Sequence, residues 1–537
     1  MSESAIPPTA GFDGLLQRAA ASRFSAVSVV VVAATLLMMP AFLAGHIVGH
    51  SSILNVVWSQ GFSGQLFAGD PYPRWLPDVS RGAGSVVFYF YGPLPFYLTA
   101  PFHLLVEPRL AVVLGSWLML ALSGLSFFAL AGAFVGRGAA LAAAIVYMMM
   151  PYHLFADIWI RAALGEQAAF FLVPFCLLCA FRLGDDARYT FGLAAGFAGL
   201  LVSHLPSALI FAPFLTGFCL WTAWQGRAFA VLLRSALAAV LAGGLAAAYV
   251  LPAMFLQDMV QADNWGVHQP ERNLLFTVAG SFATFLALAF GVVCGVVMSA
   301  AVSMIAAQHG RAVAPWVVAA VVLVFLMTPL SGWLWQSLPM LERIQFPWRA
   351  LVLFELCACM LLAFVLDARP QGTRIVVPMV GVCVIVTFIA FLFGRGVLGT
   401  EASLVKPIDV ENAMIAIAAD APEYLPACGP PADPVELATG KWTRIVERAL
   451  AERGPGVLPV FYYPFLSVTA DGAPVAIACD PATGLIAADI PAGAKVEITK
   501  TALPIERLGY AISAASLILL VVGMAYAGRR TRNTAAG

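Results

Sequence analysis

Long apolar segments separated by short polar ones run through most of the chain. The first, residues 24–45, follows Arg18 and Arg23 and has the roughly 20 residues that one membrane crossing needs. It is longer than the apolar core of a cleaved signal peptide, so we predict an uncleaved first helix after a cytoplasmic N-terminus, residues 1–23. Further apolar segments cover residues 110–134, 139–156, 165–182, 190–222, 229–251, 276–306, 313–333, 349–366, 373–394 and 504–526.

The segment at 190–222 is too long for one straight crossing. As a single helix it would span about 50 Å, whereas the hydrocarbon core of a bilayer is about 30 Å thick. Pro206 lies near its middle and removes a backbone donor, so we predict that the chain breaks at His204 and reverses there. The arginine-bearing loops then all face the cytoplasm, as the positive-inside rule prefers; they contain Arg137, Arg182, Arg188 and Arg227.

This reversal decides which polar residues share a face of the membrane. With it, residues 93–106 form a short helix that does not cross, and Asp157, Arg161 and Glu166 join the loop around Asp70 on the extracytoplasmic face. In the alternative, residues 93–106 and 190–222 each cross once, which divides these polar residues between two faces. We predict an all-α polytopic protein with about 11–12 membrane helices.

The long polar region at 395–503 is predicted to be a β-rich domain. Val457–Pro474 has aromatic and β-branched residues that lead into an Asp-Gly turn, and residues 484–501 form a second alternating run. A helix is predicted around residues 435–451. We predict that the region is periplasmic, because it follows an outward-going helix of the membrane domain, residues 24–394, and precedes a last helix, 504–526, with a basic cytoplasmic tail, 527–537.

Composition supports the membrane class. The chain of 537 residues is 61% hydrophobic and only 11% charged, whereas soluble domains have about 25% charged residues. A net charge of zero and the lack of a long basic run disfavour nucleic-acid binding. Seven of the nine cysteines lie in apolar segments, where cysteine behaves as a small hydrophobe. The other two, Cys428 and Cys479, are predicted to lie close enough for a disulfide if their region is periplasmic.

The first loop, residues 46–92, concentrates charge among prolines, glycines and aromatic residues. It begins with an amphipathic pattern at 53–67, predicted to form an interfacial helix capped by Ser51 or Ser52. Four charged residues follow: Asp70, Arg74, Asp78 and Arg81. A carboxylate can act as a general base and a guanidinium can hold a phosphate. The alternatives are a turn or helix cap for the first aspartate and phospholipid contact for the arginines.

Three later sites carry further candidate residues. Arg161 and Glu166 have the spacing to meet at a helix start, and a purely structural ion pair is the alternative. His204 is a candidate base, or a core histidine with satisfied hydrogen bonds. Arg349 precedes a helix, where binding of a phosphate competes with snorkelling to lipid headgroups. Charged groups at membrane depth are costly and are usually paired or functional.

Several short motifs resemble a known family. They are YPRWLPD, GAG and FYFYGPLPFYL in the first loop, then SHLP and QFPWR, in this order. They resemble bacterial polytopic proteins named "6-pyruvoyl-tetrahydropterin synthase-related membrane protein", a family similar to the GT-C class of glycosyltransferases; no pterin chemistry is implied. The stretch YYPFLSVTADG resembles the C-terminal sandwich of related multi-pass proteins.

The resemblance implies a GT-C-like fold in the bacterial inner membrane with its active face in the periplasm. It implies transfer of a sugar from a polyprenyl-phosphate-linked donor to a periplasmic glycan, lipid or protein acceptor. The residues that it makes catalytic are Asp70, Asp78 and Glu166. The residues that it assigns to substrate binding are Arg74, Arg81, Arg161, His204 and Arg349. Similar proteins usually have an acidic residue soon after the first helix, whereas this chain has Gly49-His50-Ser51 there.

Two other interpretations stay open at this point. One is a non-enzymatic lipid or polysaccharide transporter or envelope assembly factor, although a transporter should show two similar halves and only one broken helix is visible. The other is a degenerate scaffold, which Ser51 favours. The expected partners are the lipid-linked donor, a periplasmic acceptor and membrane lipid, with no nucleic acid. No cofactor is predicted, and a role for a divalent metal is left open.

Overall fold

The structure is a computed structural model, and within the parts that it describes the chain is mainly helical. Nine of the described helices are long and apolar enough to cross a membrane, as a multi-pass membrane protein requires. The described residues are 22–47, 49–226, 228–262, 270–277, 281–306, 310–338, 341, 343–368, 422–431 and 443–536. The predicted segment at 373–394 and the first part of the polar region lie outside these ranges.

The α-helices that the structure describes are numbered in chain order. Their bounds are α1 Arg23–Ala44, α2 Ser52–Phe67, α3 Val87–Phe90, α4 Leu94–Thr99, α5 Pro108–Ala131, α6 Arg137–Met149, α7 Leu164–Arg182, α8 Arg188–Leu201, α9 Leu205–Gly226, α10 Phe229–Phe255, α11 Ser281–Ala306, α12 Gly310–Met327, α13 Gly332–Ser337, α14 Leu351–Ala368, α15 Thr443–Ala451 and α16 Pro504–Ala536. A π-helix, Pro151–Arg161, continues α6, and a 3₁₀ turn, Pro347–Ala350, precedes α14.

The predicted break and reversal between α8 and α9 are confirmed. α8 returns to the start of α7, where a Cβ added to Gly165 would lie 2.9 Å from the carbonyl oxygen of Ser203. α9 then runs back along the bundle, because Arg234 in the following helix α10 donates a hydrogen bond to the carbonyl oxygen of Leu183, just after α7. Pro206 lies in the first turn of α9, where a missing N–H costs no helical hydrogen bond.

The bundle therefore has two ends with different residues. The end at which α7, α9, α14 and α16 begin is called the site face. At the opposite end, the Gly136 N–H before α6 donates to Oδ1 of Asp367 in the last turn of α14, over 2.9 Å. Arg188 approaches Gly528, near the end of α16, at this same end. The opposite end thus has the arginine-bearing connections before α6 and between α7 and α8.

The first loop packs into the protein instead of only lying on it. α2 buries Val57 and Phe62, as its apolar pattern predicts, but Asn55 is also fully buried. The Asn55 amide donates to the carbonyl oxygen of Ala162 over 2.5 Å, which gives this polar group a partner inside the protein. Ser51 occupies the N-cap position but makes no side-chain capping hydrogen bond. Residues 93–106 form α4 and a 3₁₀ turn, as predicted, and do not cross.

The C-terminal region contains two three-stranded antiparallel sheets, which confirms the predicted β-rich part. Their strand orders are β1-β5-β4 and β3-β2-β6, with β1 Val457–Phe461, β2 Leu466–Ala470, β3 Ala473–Val475, β4 Ile477–Cys479, β5 Leu485–Ala488 and β6 Val496–Lys500. The predicted Asp-Gly turn joins β2 to β3, and both of its residues have positive φ, as a type I′ hairpin requires. Of the helix predicted at 435–451, the described part is α15.

The two cysteines of the polar region form a disulfide. Cys428 and Cys479 have Cα atoms 6.4 Å apart, within the range that a bridge needs. The bridge ties the segment before the sheets to strand β4. The predicted pairing is therefore confirmed.

Candidate functional site

A compact group of charged side chains lies at the site face, where the π-helix meets α7. Nη1 of Arg161 lies 2.9 Å from Oδ1 of Asp157 and 2.6 Å from Oε2 of Glu166. The same nitrogen is 3.0 Å from the hydroxyl of Tyr152, which itself donates to Oε1 of Glu166 over 2.6 Å. Together with Arg349 these residues are called the arginine–carboxylate cluster. The predicted proximity of Arg161 and Glu166 is thus observed.

Arg349 enters the cluster from the 3₁₀ turn before α14. Its Nε is 3.6 Å from Oε2 of Glu166, close enough for an ion pair but too far for a hydrogen bond. Its Nη1 donates to the carbonyl oxygen of Ile344 over 2.7 Å, and Gln345 has a strained positive φ of 63°. The ring of Trp348 lies under the Arg161 guanidinium at 4.9 Å. The turn therefore presents both a cation and an aromatic face to the cluster.

The cluster is buried, yet two of its polar atoms keep unused hydrogen-bonding capacity. The Asp157 and Glu166 side chains are fully buried and Arg349 is 8% exposed. Within the described part of the chain, Oδ2 of Asp157 and Nε of Arg349 have no hydrogen-bond partner. An unmatched buried acceptor and donor each cost about 1–3 kcal/mol. The arrangement can therefore bind an anion at the second arginine and accept a proton at the aspartate.

His204 and Tyr91 lie beside this cluster. Nδ1 of His204 is 2.7 Å from the Ser207 hydroxyl, so the histidine caps the start of α9. Burial, with a smaller effect of the Arg349 charge, lowers the pKa of His204 to about 3, and the imidazole is neutral at pH 7. Burial raises the pKa of Tyr91, which stays a neutral phenol. Gly165 allows both side chains and the chain break to come close.

The first two charged residues of the first loop belong to a different set of contacts. Asp70 forms an ion pair with Lys500 on β6, and its Oδ1 accepts from the Tyr72 N–H over 3.1 Å. Arg74 is 2% exposed and pairs with Glu506 at the start of α16. These contacts tie the loop to the β-sheet and the last helix. Within the described part of the chain, neither Asp70 nor Arg74 makes a hydrogen bond or an ion pair with the arginine–carboxylate cluster.

The other two charged residues of the loop lie at its surface. Asp78 is exposed. Arg81 forms an ion pair of 2.7 Å with Glu447 on α15, with both side chains about 40% exposed. Ser80 and Arg81 both have positive φ, which marks a tight turn. The structure therefore places these candidates at the outer side of the loop.

The segment Gly49-His50-Ser51, shortly after the first helix, lies next to the cluster. The Ser51 N–H donates to the carbonyl oxygen of Arg161 over 3.0 Å, and the His50 N–H donates to that of Ile160 over 2.8 Å. A Cβ on Gly49 would lie 3.0 Å from the Cβ of Ala162. The chain after the first helix thus borders the end of the π-helix.

No role at the site was predicted for three residues that the structure brings to this place. Tyr152 and Asp157 are cluster members, and Glu355 on α14 accepts hydrogen bonds from the start of the π-helix. A single glutamate inside the apolar run LVLFELCACM is a signal that could have identified Glu355, since such a charge is costly in a membrane. The signal for Asp157 was its charge within a segment that is otherwise apolar.

The described residues contain no group of three or more His, Cys, Asp or Glu side chains placed to hold a metal ion. The chain was also compared with known proteins. No family model matches the sequence, and no curated protein matches it.

Proposed function

We propose that this protein is a membrane glycosyltransferase that takes a sugar from a polyprenyl-phosphate-linked donor and transfers it to a glycan, lipid or protein. The observation that carries the proposal is the arginine–carboxylate cluster at one end of the helix bundle. It combines two guanidinium groups with a carboxylate oxygen that has no partner among the described residues. These are the groups that such a transfer needs at a lipid surface.

The two arginines are suited to the phosphate of the donor. A guanidinium forms charge-assisted and often bidentate hydrogen bonds to phosphate oxygens, and it keeps its charge when buried. Arg161 and Arg349 approach the same oxygen of Glu166 from two elements, at 2.6 and 3.6 Å. A phosphate bound beside them would be stabilised as it becomes the leaving group.

Two carboxylates compete for the role of general base on the acceptor hydroxyl. Asp157 has a free Oδ2 within the cluster, as far as the described residues extend. Asp70, which the first-loop motifs favour, is 21% exposed and is engaged by Lys500. A base must reach the proton that it removes, within hydrogen-bond distance or through one water. The position of Asp157 next to the two arginines therefore favours it as the base, whereas the greater solvent exposure of Asp70 favours that residue.

The proposed orientation puts the site face in the periplasm of a bacterial inner membrane. Arginines concentrate at the opposite end, where the connections include Arg137, Arg182 and Arg188, and short cytoplasmic loops are enriched in such residues. The disulfide between Cys428 and Cys479 supports an oxidising compartment for the region that contacts the first loop. Both observations support the same orientation. A C-terminal domain that contacts the first loop suits binding of an acceptor.

The test is transfer of labelled sugar from a polyprenyl-phosphate donor by the purified protein in proteoliposomes. If Asp157 is the base, Asp157→Asn should lower the rate about 10²–10⁴-fold at normal protein level, because it removes the proton acceptor and keeps the shape. Asp70→Asn is the parallel variant, and Asp185→Asn, at the opposite end of the bundle, is the matched control. Unchanged transfer in both Asp157→Asn and Asp70→Asn would refute the proposed chemistry. Lipid binding without any transfer by the wild type would favour the transporter instead.

A further inference from the structure

Glu355 is a buried acid that the proposed chemistry does not use. It lies within α14 and is 0% exposed. Its Oε1 accepts from the Tyr152 N–H over 2.7 Å, and its Oε2 accepts from the His153 N–H over 3.0 Å. A carboxylate inside a membrane helix is costly, so a glutamate retained there needs a reason. Both of its carboxylate oxygens accept hydrogen bonds from backbone N–H groups of the π-helix.

The cluster depends on the winding of that π-helix. Tyr152, Asp157 and Arg161 are separated by five and then four residues. At the α-helical 3.6 residues per turn, the second residue would lie about 140° and the third about 180° away from the first around the axis. In a π-helix, with roughly 4.4 residues per turn, all three fall within about 50°. Only the wider winding lets one helix place all three side chains in the cluster.

A π-helix is rare, so both ends of this one need support. At its start, Pro151 has no N–H, and the N–H groups of the next two residues donate hydrogen bonds to Glu355. At its end, the carbonyl oxygens of Ile160 and Arg161 accept from His50 and Ser51. Ala162 then leaves the helix with a positive φ of 52°. The segment is therefore fixed by contacts from α14 and from the first loop.

Glu355 also connects the two arginines. It lies six residues after Arg349, on the helix that continues the Arg349 turn, and it holds the first residues of the helix that ends at Arg161. We propose that Glu355 is a positioning residue that fixes the π-helix against α14 and so sets the geometry in which Arg161 and Arg349 receive a phosphate. The phosphate part of this inference rests on the proposed function; the positioning part does not.

The first measurement follows backbone hydrogen exchange in the full-length protein in nanodiscs. Glu355→Gln replaces one acceptor oxygen by an NH₂ group that faces an N–H donor, so peptides from 151–161 should exchange at least tenfold faster. Cys357→Ala, at a position of α14 that is equally buried but makes no hydrogen bond to the π-helix, is the control and should leave the rate unchanged. Equal exchange in wild type and Glu355→Gln would overturn the inference.

The second measurement is binding of undecaprenyl phosphate to the same proteins. Glu355→Gln should weaken binding at least fivefold, and Glu355→Asp, which keeps a carboxylate, should recover part of it, with global unfolding temperatures close to wild type. Faster exchange with wild-type lipid binding would refute the link to the arginines. A wild type that binds no undecaprenyl phosphate would refute the proposed function, while the exchange result would still decide whether Glu355 positions the helix.

Discussion

Replacing Arg161 by methionine should be among the most destabilising single changes in the membrane domain. The substitution keeps an apolar stem of similar length but removes the cation from between Asp157 and Glu166, whose side chains are both fully buried. Breaking a buried ion pair by removing one partner typically costs about 3–5 kcal/mol, because the remaining charge is left uncompensated. Asp157 loses its ion-pair partner and Glu166 keeps only the longer pair with Arg349, at 3.6 Å, so we expect a loss of folding free energy of about 5 kcal/mol.

The matched control is Arg182→Met, at the other end of α7. Its ion pair with Asp185 has side chains 39% and 61% exposed, and pairs of this kind contribute about 0–1 kcal/mol. The assay is reversible unfolding in mixed detergent micelles, with the two variants and wild type compared at the same detergent composition. A further variant, Arg161→Met with Glu166→Gln, should recover part of the loss, because it removes one of the stranded charges. Equal stabilities of Arg161→Met and Arg182→Met would refute this reasoning.

The remaining predictions concern orientation and pH. Cysteines at Leu105 and Asp185 should be labelled by an impermeant reagent from opposite sides of the membrane, the first from the periplasm; labelling of both from one side would contradict the arrangement of α5 to α7. Burial raises the pKa of Glu423 to about 7 from its usual value of about 4.5, so its neutral form is favoured in the folded protein. Stability should therefore fall as the pH rises from about 4.5 to about 7, and Glu423→Gln should reduce this dependence in thermal melts at pH 5 and pH 8. An identical pH dependence in Glu423→Gln would contradict the assignment.

The sequence predicts those features that depend on neighbouring residues. The break before α9 follows from Pro206 and from the length of one apolar segment, and the hairpin at Asp471 follows from an Asp-Gly pair. The contact between Arg161 and Glu166 follows from their short separation in the chain and from the start of α7 at Leu164, between them. Each of these predictions rests on a segment of fewer than 40 consecutive residues. Within so short a segment, backbone geometry allows only a few conformations.

Features that depend on distant residues or on an unusual helix were not predictable in this way. Arg74 was assigned to substrate binding, whereas the structure pairs it with Glu506, 432 residues further along the chain. Asp157 was predicted to share a face with Arg161 and Glu166, which the structure shows, but α-helical periodicity separates it from Tyr152 by more than a third of a turn. Periodicity arguments assume α-helical geometry, and a π-helix changes which residues lie on the same side of the helix.

The pair between Arg74 and Glu506 also bears on how the protein is made. During synthesis at roughly 5–20 residues per second, the glutamate follows the arginine by roughly 20–90 s. During that time the Arg74 guanidinium lacks the carboxylate with which it pairs when buried. The first loop therefore cannot adopt its final buried arrangement while the chain is still growing. The last helix is therefore the element that completes the first loop. A nascent chain that ends before residue 506 lacks the carboxylate that Arg74 pairs with in the folded protein.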